Sequence, residues 1–341
     1  MAERPQLSAE LIERLVAVLD ADRVVTEAAA VDEYKHPYYI PGDDSFLASA
    51  VEGTSSAQAA ADFERCLQLV GTELTEEFLT TMTALYGYYA TRADLRRAEQ
   101  VLTAVRAGQT GRVAWFLVNN DAGFAMLAWY RGHFAAARDA LEAVAARTDI
   151  RSGEDEAHWF IPNEPLASIY THLAAARLVV GDYAGAQEQF DRTARRVEHL
   201  GFPQGPYSAA YARSYETWMY VEAGDLDRAG QIVATLGADA ERYGFDVWAL
   251  IAATQQCTVD GLRALAAEPV DPAALETHIN TMTMLVEAWR AAQVRMFLTF
   301  YDSVVARLLY PAGRIDEARA RLDAALQLAS DTDVHFYDAQ L

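Results

Sequence analysis

The sequence predicts an all-α protein, a right-handed superhelix of stacked helix hairpins, and three observations predict it. From about Ser55 onward apolar residues recur at three- and four-residue spacing, alanine is abundant and proline is confined to a few junctions. Five segments share one frame: an apolar residue, two variable positions, an alanine, then a large apolar residue four further on. They are Leu95/Ala98/Leu102, Phe134/Ala137/Leu141, Tyr183/Ala186/Phe190, Leu226/Ala229/Val233 and Ile315/Ala318/Leu322. Four of the five carry a glycine two residues before the frame, at Gly132, Gly181, Gly224 and Gly313; the fifth has Ala93 there.

The frame has a physical reading. A helix ends where glycine takes a left-handed C-cap, and an aspartate such as Asp94, Asp182 or Asp225 caps the next helix. The alanine lets the two helices of a hairpin approach closely, and the larger residue one turn on fills the groove beside it. Each hairpin leaves one face unburied, so stacking on a neighbour completes the core. The frame alanines lie 39, 49, 43 and 89 residues apart. The last gap fits two units, with a degenerate repeat around Val270 to Ala274. Second helices close on short links that lead into an aromatic residue: Leu200-Gly201-Phe202, Tyr243-Gly244-Phe245 and Asp333-Val334-His335-Phe336. Gly201 and Gly244 are expected C-caps. Ser208–Ala223 and Asp246–Ala266 are expected first helices lining the inner wall.

The first fifty residues differ in character. Residues 8–20 read as one amphipathic helix with Ser8 as N-cap and Leu11, Ile12, Leu15, Val16 and Leu19 on one face. A β-like run, Val24-Val25-Thr26, follows, then a turn-rich stretch from His36 to Asp44 with two prolines. A boundary near Gly53 separates a leader, 1–53, from the repeat domain, 54–341.

Composition narrows the function classes. The 341 residues carry 28 Lys+Arg against 49 Asp+Glu, a formal net charge of −21, which argues against a sequence-independent grip on nucleic acid and against an anionic membrane surface. No apolar h-region follows the N-terminus, and the most apolar stretch, Leu166 to Val180, is broken by His172 and Arg177 and is too short to span a bilayer. Cys66 and Cys257 are too few and too distant in sequence for a disulfide framework and read as buried thiols in a reducing cytoplasm. The seven histidines show no metal-binding spacing, the clusters Glu73/Glu76/Glu77 and Glu154-Asp155-Glu156 read as solvated, and no Gly-x-Ser-x-Gly elbow occurs. Lys35 is the single lysine and no nucleotide-binding loop surrounds it. The expectation is a non-enzyme without metal or cofactor.

Two regions are candidates for binding. His158-Trp159-Phe160-Ile161-Pro162-Asn163-Glu164-Pro165 interrupts the repeat with aromatics, an amide and a carboxylate between prolines, so Trp159, Asn163 and Glu164 could form the mouth of a ligand groove or a rigid link packing its Trp inward. Tyr207, Tyr211, Tyr215 and Trp218 on one first helix, and Trp248 on the next, either face the concave channel or belong to the core, and Asp246 is a further binding candidate.

The frame Gly-Asp-Leu/Tyr-x-x-Ala resembles the tetratricopeptide repeat, here with lengthened units. Over about 55–341 the chain is similar to the C-terminal repeat arms of large bacterial signal-transduction ATPases, which include LuxR-type regulators related to the maltose-regulon activator and proteins with an N-terminal adenylyl or guanylyl cyclase domain. The resemblance implies a sensing or docking arm that binds a protein partner or small effector on its concave face. It also implies continuation past Leu341 into at least one more hairpin. On that expectation Phe336, Tyr337 and Leu341 lack a partner helix and forfeit about 1.5–3 kcal/mol each relative to burial, which predicts a frayed end or a homodimer that caps it. Separately, Asp22-Arg23-Val24-Val25-Thr26, Val31 to Tyr38 and Leu47 to Val51 resemble the N-terminus of flavin-linked oxidases of the vanillyl-alcohol oxidase group. The similarity stops near Ser55, ahead of where that family's FAD-holding loop would come. It implies a fusion rather than an oxidase, so no flavin is expected.

Overall fold

The computed structural model describes residues 76–107, 114–148 and 163–341. Among the described residues it is all-α, with twelve α-helices and no strand. The helices are α1 (Glu76–Thr91), α2 (Leu95–Ala107), α3 (Ala114–Tyr130), α4 (Phe134–Thr148), α5 (Pro165–Val179) and α6 (Tyr183–Val197). They continue as α7 (Gln204–Glu222), α8 (Leu226–Tyr243), α9 (Asp246–Ala266), α10 (Pro272–Ala291), α11 (Leu298–Leu309) and α12 (Ile315–Thr332). Every helix packs on the next in sequence, and each odd-numbered helix also packs on the following odd one. The odd helices therefore form one continuous row and the even helices cover it, so the core is a layer running between the rows.

The repeat frame is the origin of the hairpins. Ala98, Ala137, Ala186 and Ala229 are wholly buried where paired helices cross, and Ala318 nearly so. At the turns, Gly132 (φ 79°) and Gly181 (φ 86°) occupy the left-handed region, and Ala93 takes the same conformation (φ 60°) in the hairpin that lacks the glycine. Asp94, Asp182 and Asp225 accept hydrogen bonds from the backbone N–H of Arg97, Gly185 and Arg228, as helix N-caps. The degenerate repeat is α9/α10, with Asp271 capping α10 through the N–H of Ala273. Two expectations differ. Gly201 is not left-handed, because α6 already ends at Val197 and the chain leaves it through successive turns. Helix α7 begins at Gln204, four residues ahead of the expected Ser208. The leader 1–53 lies outside the described residues.

The links that follow α10 and α12 close the structure. The carbonyl of Thr91, the last residue of α1, accepts from the N–H groups of Arg295 (2.9 Å) and Met296 (3.2 Å). The carbonyl of Tyr130, the last residue of α3, accepts in the same way from His335 (2.8 Å) and Phe336 (3.1 Å). Both carbonyls are ones that a helix end leaves without an intrahelical donor. Each link enters after a non-glycine residue at positive φ, Gln293 and Asp333, both at 61°. The side chains behind these hydrogen bonds converge. Phe336 stacks on Trp129 with 4.8 Å between centroids, meets Trp218 and Phe297 edge-on, and is 6% exposed. Tyr337 is 4% exposed and donates to Glu222 Oε1 on α7 (2.9 Å).

The expectation that Phe336 and Tyr337 want a partner helix is therefore corrected: the chain buries both against its own α3, α7 and α11. Leu341 is itself half-buried against the same core. The reason for a capping dimer falls with it. Ion pairs reinforce the closure, since Arg131 bonds both Asp333 Oδ2 (2.7 Å) and Glu99 Oε2 (2.7 Å). Among α10, α11 and α12 the fully buried Asp302 carboxylate is held by Arg290 (2.7 Å) and Arg321 (3.2 Å).

Candidate functional site

Helix α5 is apolar nearly all round, as a helix packed on several others must be, and all but three of its fifteen residues are buried. In its middle stands His172, 1% exposed. Neighbouring odd helices aim tyrosines at it: Tyr130 from the end of α3, and Tyr211 and Tyr215, one turn apart on α7. The Ser168 carbonyl can only accept, so the proton of the neutral ring sits on Nδ1 (3.0 Å) and Nε2 is left as acceptor. Three hydroxyls surround that nitrogen, Tyr211 at 3.2 Å and Tyr130 and Tyr215 at 3.3 Å. One line of donation satisfies them all: Tyr211 to Tyr215 (3.5 Å), Tyr215 to Tyr130 (3.0 Å), and Tyr130 to His172.

Burial sets the electrostatics. It lowers the His172 pKa to about 4, against the hydrogen bond that the ring donates to the Ser168 carbonyl, so the ring is neutral at physiological pH. It raises Tyr130 to about 12 and pushes Tyr211 and Tyr215 well above the ordinary phenol value. The cluster is thus an uncharged relay of hydroxyls around one imidazole. Burial, with a smaller push from Tyr130, raises Tyr86 of α1 as well, and its hydroxyl donates to the Gly123 carbonyl (3.3 Å).

From this buried centre the row opens outward. Tyr211 is half-buried and meets Trp248 edge-on at 6.1 Å; Trp248 meets the half-buried Tyr207 at 5.3 Å; Tyr207 meets Phe245 at 5.5 Å. Phe202, 62% exposed, stacks on Phe245 with planes 5° apart. On the opposite side the row is sealed, since Tyr215 packs on Phe297 and Phe297 on Phe336.

Among the residues expected from sequence, the structure brings Tyr211 and Tyr215 to His172, with Tyr207 and Trp248 beside Tyr211. Trp218 is elsewhere, edge-on to Trp129 (5.8 Å) in the sealed core. Asp246 is exposed in the first turn of α9, two residues from Trp248. Glu164 is a helix cap: Oε2 accepts from the N–H of Ala167 (2.7 Å), Oε1 pairs with Arg196 (3.1 Å), and its own N–H donates to Ser208 Oγ (2.8 Å). Asn163 is half-buried immediately before that cap. Trp159 lies outside the described residues. Sequence reasoning missed His172 as a centre, although a lone histidine inside the most apolar helix is the signal that marks it. Tyr130 carries no local signal, because its role depends on α3 ending beside α5. Cys257 is a buried thiol, raised to about 11 by burial. No helix among the described residues is long and apolar enough to cross a membrane, and none of their side chains cluster as a metal site. Compared with models of protein families and with curated proteins, the chain matches none.

Proposed function

We propose that this chain is a tetratricopeptide-type arm, a right-handed superhelix that binds a protein segment or small effector on its inner row of odd helices. On this reading it is the non-enzymatic sensor or docking part of a bacterial transcriptional or cyclase-linked signalling system. The observation that carries it is the continuity of one aromatic row from exposed Phe202 through Tyr207, Trp248 and Tyr211 to the buried His172 relay. Aromatic walls with a few converging polar groups are how proteins hold small ligands. No charged group sits in the relay itself, so an occupant would be neutral where it meets Tyr211, with hydroxyl or amide groups.

The mechanism follows from the packing. Tyr130 is both a relay hydroxyl and, through its carbonyl, the acceptor for the C-terminal link. A ligand that reorders the hydroxyls would favour one placement of that link over another and shift its population by the difference in affinity. The test is a thermal-shift screen of sugars, nucleotides and short peptides against wild type and Tyr211→Leu. A ligand at a hundred times its Kd stabilises by about 2.7 kcal/mol. Stabilisation of wild type that disappears in Tyr211→Leu supports the reading. Stabilisation unchanged in that variant, or a flavin band in the purified protein, counts against it.

A further inference from the structure

Away from the aromatic row, α7, α11 and the C-terminal segment border a half-open cavity of about 340 Å³, lined by Glu222, Ser303, Arg307, Tyr337 and Gln340 with Val221 and Gly224. That volume is at the small end of ligand pockets, which run from about 300 to 1,000 Å³. Its walls are polar and of opposite sign. Glu222 is half-buried, and Tyr337 donates to one of its oxygens, Oε1, at 2.9 Å. Arg307 faces the same space from α11, exposed, with no ion pair among the described residues. Most of the other arginines that line helix contacts, such as Arg131, Arg196, Arg290 and Arg321, are paired within 3.2 Å. The Arg307 charge is felt at Glu222, where it opposes the upward push of burial, yet the two groups do not touch. A carboxylate and a guanidinium held apart across a cavity, when side-chain rotation could bring exposed arginine to a partner, mark a space shaped for something that bridges them.

We propose that this cavity is a binding site for a small zwitterion, a free α-amino acid or one of similar size. Its ammonium group would meet Glu222 Oε2, the oxygen Tyr337 leaves open, and its carboxylate would take the planar fork of Arg307, with the Gln340 amide beside it. Ser303, which donates its hydroxyl to the Phe300 carbonyl (2.8 Å), lies beside Tyr337 in the cavity wall. Because Tyr337 and Gln340 belong to the closing segment, occupancy would hold that segment down on α7 and α11. The site is separate from the His172 relay, so it stands or falls independently of the proposed function.

The test is isothermal titration and thermal shift of the purified full chain with each of the twenty L-amino acids, repeated with the N-acetyl and C-amide forms of any that bind. At least one free amino acid should bind, and blocking either end should weaken it at least tenfold. Arg307→Gln and Glu222→Gln should each do the same, while Arg319→Gln, on an exposed position of α12, should not. No binding by any of the twenty at 10 mM overturns the proposal, and so does equal binding of the N-acetyl form, which would mean an anion site at Arg307 only. Binding unchanged in Glu222→Gln overturns it as well. Circular dichroism of each variant identifies any that fails to fold, and Arg307→Lys, which keeps the charge and loses the fork, then serves as the second variant, expected to weaken binding.

Discussion

Replacing Phe336 with alanine removes the residue that locks the C-terminal link into the odd-helix row. The ring is 6% exposed and has five aromatic neighbours: Trp129 stacked at 4.8 Å, Phe297 at 5.5 Å, Tyr337 at 6.0 Å, Trp218 at 6.2 Å and Tyr130 at 6.4 Å. Truncating a buried phenylalanine costs about 3–5 kcal/mol from lost transfer and the cavity left behind. Ring pairs add about 0.5–1.5 kcal/mol beyond burial, and several are lost here at once, so the cost should fall at the upper end, about 5 kcal/mol. Relaxation of the terminal segment into the void would bring it toward about 3 kcal/mol. The assay is urea unfolding followed in parallel by circular dichroism and tryptophan fluorescence, because Trp129 and Trp218 line the site. Tyr310→Ala, at a side chain 68% exposed, is the control and should stay within about 0.5 kcal/mol of wild type. Both signals should shift to lower urea together, since the ring bridges α3, α7 and the link before α11. A loss below about 1 kcal/mol for Phe336→Ala, with unchanged tryptophan emission, would refute the reasoning.

Three further outcomes are expected. His172 has a folded pKa of about 4, below its ordinary 6.5, so the unfolded chain takes up a proton that the folded one refuses. Stability should therefore fall as pH drops from about 6.5 toward 4, by about 3 kcal/mol in total, and His172→Gln should flatten that part of the profile measured by urea unfolding. Glu164→Ala removes the α5 cap and breaks the ion pair to Arg196, and should cost about 2 kcal/mol by the same measurement, with Glu164→Gln keeping part of it. Asp302→Ala removes the buried carboxylate between Arg290 and Arg321 but leaves both on Glu287, and should cost about 1–3 kcal/mol, read as a lower thermal midpoint.

The hairpins were legible because their determinants are local. A small residue at the crossing, an aspartate after the turn and a residue able to take positive φ before it can all be read within six positions, as Gly181, Asp182 and Ala186 show. Ala93 shows the limit, because its methyl group hides a left-handed turn that the frame alone reveals. The closure was not legible. It joins Thr91 to Met296 and Tyr130 to Phe336 through backbone hydrogen bonds, and no side-chain pattern announces which carbonyl a link will meet. The same gap explains the misplaced C-terminal aromatics: Phe336 and Tyr337 read as unpartnered because their partners come from helices some two hundred and one hundred residues earlier. At the candidate site, the stripe of Tyr207, Tyr211 and Tyr215 follows from four-residue spacing, whereas its meeting with His172 depends on α5 and α7 being adjacent in the odd row. Glu164 was drawn from a carboxylate among aromatics. Its position directly before Pro165, the first residue of a helix, is the pattern of a cap and was the better guide.

Hydrogen exchange at single-residue resolution tests the closed packing most directly. In the closed structure the amides of Arg295 and Met296 are held by Thr91, and those of His335 and Phe336, close to the end of the chain, by Tyr130. All four should exchange as slowly as amides in the middle of α11, because releasing them requires opening the core around Phe297 and Phe336. An open row of hairpins with a fraying end would instead expose His335 and Phe336 to exchange at the rate of an unstructured peptide, and that result would contradict the account.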